Sequence, residues 1–67
     1  MLNWDDSFAI AQLLRKKFPN NELDEVSMDM IYHWTINLPE FCDDHELAND
    51  TILSAILQEW FEEIHEL

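Results

Sequence analysis

The chain is 67 residues long, 48% apolar, and carries 15 Asp and Glu against three Lys and Arg, a formal net charge of −12. A domain of this size buries only about 60% of the surface its unfolded chain exposes, so more than one domain is excluded and stability is marginal; three Trp and four Phe still supply a core and argue against disorder. The charge repels phosphate backbones and anionic lipid, which disfavours nucleic acid and membrane as partners, and it attracts a positive protein surface over about 8–10 Å.

The opening residues MLNWDDS lack the basic start and apolar run of a signal peptide, and no apolar run approaches the roughly 20 residues of a membrane span. A lone cysteine, Cys42, rules out an internal disulfide. The expected protein is soluble, cytoplasmic, complete as written and monomeric. Asp6 or Ser7 caps a first helix on which Ile10, Leu13 and Leu14 follow the 3.6-residue period, and Pro19 ends it. All the cations, Arg15, Lys16 and Lys17, fall in its last turn, where they suit the negative end of the helix dipole. That role outweighs nucleic-acid contact, because residues 18–67 hold 13 acids and no Lys or Arg.

Residues 20–28, NNELDEVSM, read as a connection in which Leu23 and Val26 anchor a short turn or an isolated extended segment. Ser27 or Asp29 caps a second helix with Met30, Ile31, Trp34 and Leu38 on its buried face, broken by Pro39. The polar stretch FCDDHELAND, residues 41–50, follows, with Phe41 as a core anchor. A third helix begins at Asn49 or Asp50 and runs almost to the end. Ile52, Leu53, Ile56, Leu57, Trp60, Phe61 and Ile64 form its core face, and Ser54, Gln58, Glu59, Glu62, Glu63 and Glu66 its anionic one.

Catalytic chemistry finds little support. Three short helices offer little concave surface, the absence of glycine removes phosphate-cradling loops, and the carboxylates flanking Cys42 oppose a reactive thiolate. No enzyme is expected. Cys42 and His45 have the spacing of half a zinc site, but His33 and His65 are the only further candidates and there is no second thiol, so no structural zinc is expected. Asp43 and Asp44 beside an acidic helix suit a weak, open site for Mg2+, Mn2+ or Fe2+. From spacing alone, a solvated polar loop is the stronger reading.

The ordered features W-x-D-S (Trp4, Asp6, Ser7), Pro19, Val26, W-x-x-x-L-x-x-F-x-D-D (Trp34, Leu38, Phe41, Asp43, Asp44), N-D-x-I-L-x-A-I (Asn49 to Ile56) and W-x-E-E (Trp60, Glu62, Glu63) span nearly the whole chain. In that order they resemble the IscX family, acidic accessory proteins of bacterial iron–sulfur cluster assembly. The resemblance implies a mainly α, three-helix, modified winged-helix-like domain with little or no β structure. It implies binding of the cysteine desulfurase through an acidic face, weak binding of Fe2+, and competition with frataxin; ferredoxin or a scaffold protein are further partners it allows. Candidate metal ligands are then Asp43, Asp44 and Asp50, with Asp5, Asp6, Glu59 and Glu63 as further candidates. The candidate partner-binding acids are Asp5, Asp6, Glu59, Glu62, Glu63 and Glu66. Three positions depart from the family pattern: Cys42 replaces a common acid, His45 a common proline and Ser54 a common acid. A different class also fits the charge, an acidic nucleic-acid mimic that occupies a DNA-binding protein.

Overall fold

The computed structural model describes residues 1–19 and 23–65. Three helices follow in order, α1 Ser7–Lys17, α2 Met28–Ile36 and α3 Asp50–His65, with 3-10 turns at Leu23–Glu25 and His45–Leu47 in the two connections. The mainly α expectation holds, and among the described residues the only β pairing is an isolated parallel bridge between Leu2 and Phe41.

The three helix starts and the end of α2 are set by local chemistry that needs no glycine. Asp6 precedes α1, but its carboxylate turns backward and accepts from the Asn3 N–H at 2.9 Å, while its carbonyl accepts from the Ile10 N–H to start the helix. Ser27, of the two candidates, caps α2: its Oγ accepts from the Met30 N–H at 3.2 Å, and the Met30 Sδ accepts from the Ser27 N–H at 3.4 Å. This is a capping box with a thioether where Glu or Gln is usual. Asn49 caps α3, its Oδ1 accepting from the Ile52 N–H at 2.9 Å. At the end of α2, the Asn37 amide donates to the His33 carbonyl at 2.7 Å, and tightened bonds from Leu38 to Thr35 and from Phe41 to Leu38 carry the chain around Pro39. No described residue adopts a positive φ.

The core collects one stripe from each helix: Ile10, Ala11 and Leu14 from α1, Ile31 from α2, and Leu53, Ile56 and Trp60 from α3, closed by Trp4 and Leu38. Burial of each aliphatic side chain of this kind contributes about 1.5–3 kcal/mol. The expected anchors Phe41 and Val26 pack against this core, whereas the side chain of Leu23 lies outside the described residues. Aromatic rings extend the core at two places. Trp4 stacks on Tyr32 at 6.0 Å and meets Phe41 edge-on at 4.6 Å, and Trp34 stacks on Phe18 at 4.3 Å and meets Trp60 edge-on at 6.0 Å.

The core face expected for α3 needs correction at two residues. Phe61 is 48% exposed and Ile64 40% exposed. At about 100° of turn per residue, the seven apolar positions of α3 cover roughly half the helix circumference. Contact with α1 and α2 centres on Leu53, Ile56 and Trp60, which leaves Phe61 at the edge of the stripe facing solvent.

Candidate functional site: the acidic loop and the flanks of the third helix

The acidic loop is fastened to the N-terminus. Leu2 N–H donates to the Glu40 carbonyl and Cys42 N–H to the Leu2 carbonyl, both at 2.8 Å, laying residues 1–4 beside residues 40–44. Trp4 completes the clasp: its backbone N–H donates to Asp43 Oδ2 at 3.0 Å and its indole Nε1–H to the Asp44 carbonyl at 2.8 Å. Asp43 Oδ1 accepts in turn from the Asp44 N–H at 2.8 Å, so both oxygens of this half-buried carboxylate already hold backbone donors. Asp44 Oδ1 caps the following 3-10 turn by accepting from the Glu46 N–H at 3.0 Å. The loop folds this way because a short glycine-free connection leaves N–H groups that only nearby side chains can satisfy.

These bonds bear on the metal candidates. A hard divalent ion such as Fe2+ needs several convergent oxygen or nitrogen ligands. Among the described residues, no group of three or more His, Cys, Asp or Glu side chains is placed to hold one. Asp43 and Asp44 are committed to backbone donors, Asp50 is exposed in the first turn of α3, and Cys42 and His45 are both exposed. The described residues therefore do not fit a resident metal centre. A carboxylate oxygen holding one hydrogen bond keeps a free lone pair, and that suits loose, single-ligand association with a largely hydrated ion.

The candidate docking acids separate into different settings. Asp5 is exposed, whereas Asp6 is half-buried and engaged with Asn3. Glu63 leans toward α1: its Oε1 lies 3.2 Å from Arg15 Nη1, with the Glu63 side chain only 15% exposed against 47% for Arg15. Glu59, one turn earlier on the same side, is half-buried. Glu62 is exposed, and its Oε2 accepts from the Gln58 amide at 3.0 Å. Glu66 lies outside the described residues. Among the described acids expected on the anionic face of the third helix, Glu62 is thus the exposed one.

Sequence reasoning missed a shallow groove of about 380 Å3 between the start of α2 and the middle of α3, lined by Met28, Ser54, Leu57, Gln58 and Phe61. The excess width of the apolar stripe on α3 was the signal that could have revealed it. No described helix is long and apolar enough to cross a membrane.

The comparisons with known proteins agree in one direction. A family model described as iron–sulphur cluster assembly matches residues 2–65. An uncharacterized protein of Pseudomonas aeruginosa is 34% identical over 62 residues, a match that covers 92% of this chain and 94% of that relative.

Proposed function

The chain belongs to the IscX-type family of iron–sulphur cluster assembly proteins, and from that premise we propose that it is an accessory adaptor or regulator, not an enzyme, which docks on the cysteine desulfurase of the assembly system in the cytoplasm. One observation carries this reading. Beyond Lys17 the chain has 13 acids and no Lys or Arg, and Asp44, Asp50 and Glu62 present exposed carboxylates along the loop and third helix. A surface with that sign selects an arginine- and lysine-rich patch, accelerates encounter with it, and competes with other acidic proteins, frataxin included, for the same patch. Iron enters the proposal as a weakly associated Fe2+ ion near Asp43, Asp44 and Asp50, and no step of docking depends on it.

The test is a titration of the purified desulfurase at low and high salt. Affinity is expected to fall steeply with ionic strength, and Glu62→Lys combined with Asp5→Lys to slow association by roughly 10-fold or more. Glu63 is left unchanged because its reversal would place a cation against Arg15. Binding that ignores both salt and the double reversal would remove this face from the interface. Recovery of a DNA-binding protein, with no desulfurase, in a pull-down would favour the nucleic-acid mimic.

A further inference from the structure

We propose that the groove floored by Met28, Leu57 and Phe61 receives one large aliphatic side chain from a lysine- or arginine-rich segment of a protein partner. The inference rests on the docking role above and deepens it by naming the anchor point. The two polar side chains that line the groove each donate a hydrogen bond within the chain. Ser54 Oγ–H points at Met28 Sδ, 3.9 Å away, and the Gln58 amide donates to Glu62. The rest of the lining is a thioether, a leucine and a half-exposed aromatic ring. Small-molecule sites place several convergent polar groups among apolar walls, whereas the two polar side chains here each already donate within the chain and the rest of the lining is apolar, so a side chain delivered by a peptide fits better than a free metabolite.

Charge decides which kind of peptide. Asp50 lies one helical turn before Ser54 on the same side of α3, Glu62 is bonded to the lining Gln58, and Asp29 follows Met28 directly; all three acids are exposed. The cations of the chain are all on α1, at Arg15, Lys16 and Lys17. An apolar floor with an anionic rim is complementary to a cationic segment carrying an apolar residue. It is not complementary to a second copy of a chain with net charge −12. Met28 suits the task, because an unbranched thioether adapts its shape to the incoming group. The acids bring the partner in and the groove holds it, a division in which rim charges act on the association rate and the buried apolar contact on the dissociation rate.

Two measurements test this separately from the identity of the partner. In the first, the chain is titrated with a short lysine–leucine peptide and with its lysine–serine counterpart, while the Met28 methyl and Phe61 ring signals are followed by NMR. The lysine–leucine peptide alone is expected to shift them saturably. Equal shifts from both peptides, or no shift from either, would overturn the groove, as would self-association of the chain that perturbs the same signals. In the second, Phe61→Ser, a change at an exposed position, is expected to weaken desulfurase binding roughly 10-fold through faster dissociation at low and high salt alike. Unchanged affinity in Phe61→Ser would overturn the groove while leaving the acidic-face reading intact. Conversely, failure of the desulfurase to bind at all, with the lysine–leucine peptide still seated on Met28, would retire the partner and support the groove.

Discussion

The loop that carries Asp43 and Asp44 and the groove beside Phe61 use their side chains in opposite senses. In the loop, carboxylates whose type suggests solvent or metal are spent on the backbone: Asp43 holds the N–H groups of Trp4 and Asp44, and Asp44 that of Glu46. Beside the groove, Phe61, whose type suggests the core, stands half-exposed next to Met28 and Leu57. Chemical type sets what a side chain can do, but the unmet needs of its neighbours set what it does. A glycine-free turn leaves donors that demand an acceptor. A helix with more apolar positions than its neighbours can cover leaves a hydrophobe without a buried partner.

That contrast can be broken in four ways. Trp4→Ala removes a buried ring and its indole hydrogen bond to the Asp44 carbonyl, keeps the backbone N–H bond to Asp43, and is expected to cost about 3–5 kcal/mol. Since a domain of this length has a total stability of roughly 3–10 kcal/mol, a urea melt is expected to show a nearly or wholly unfolded protein. Asp43→Ala leaves the part-buried Trp4 N–H without its acceptor and is expected to lower the unfolding free energy by about 1–3 kcal/mol. If the loss is negligible, the carboxylate is free for ligands and the contrast fails. Arg15→Gln breaks the ion pair that ties α1 to Glu63. Its exposed guanidinium limits the effect to about 0.2–1 kcal/mol, and the difference from the parent is expected to shrink in high salt. Phe61→Ser is expected to change the unfolding free energy by less than about 0.5 kcal/mol. A loss of several kcal/mol would mean that the ring belongs to the core after all.

Local signals in the sequence carried most of the architecture. Pro19 and Pro39 marked the helix ends, Ser27 and Asn49 the starts, and the 3.6-residue period picked out Ile10, Leu14, Ile31, Leu53, Ile56 and Trp60 as buried. Information that depends on distant pairing was not legible. Nothing near Asp43 announces that Trp4 will arrive to claim its oxygen, and nothing near Glu63 announces Arg15, 48 residues earlier. Periodicity gave the direction of the apolar stripe on α3 but not how much of its width α1 and α2 would cover. The candidate site was legible as an acidic surface, and the structure distinguished acids already engaged within the chain from those left to solvent.

The clasp at Trp4 also has a history in time. Its hydrogen-bond partners lie 39 and 40 residues further along, so during synthesis the indole emerges long before anything exists to bury it. Closing a loop of that length costs entropy before its contacts repay it. The N-terminal strap is therefore expected to be among the last parts of the molecule to settle and among the first to let go. In hydrogen exchange, the Leu2 and Cys42 amides should open at lower free energy than those in the middle of α3, while the three helices stay closed.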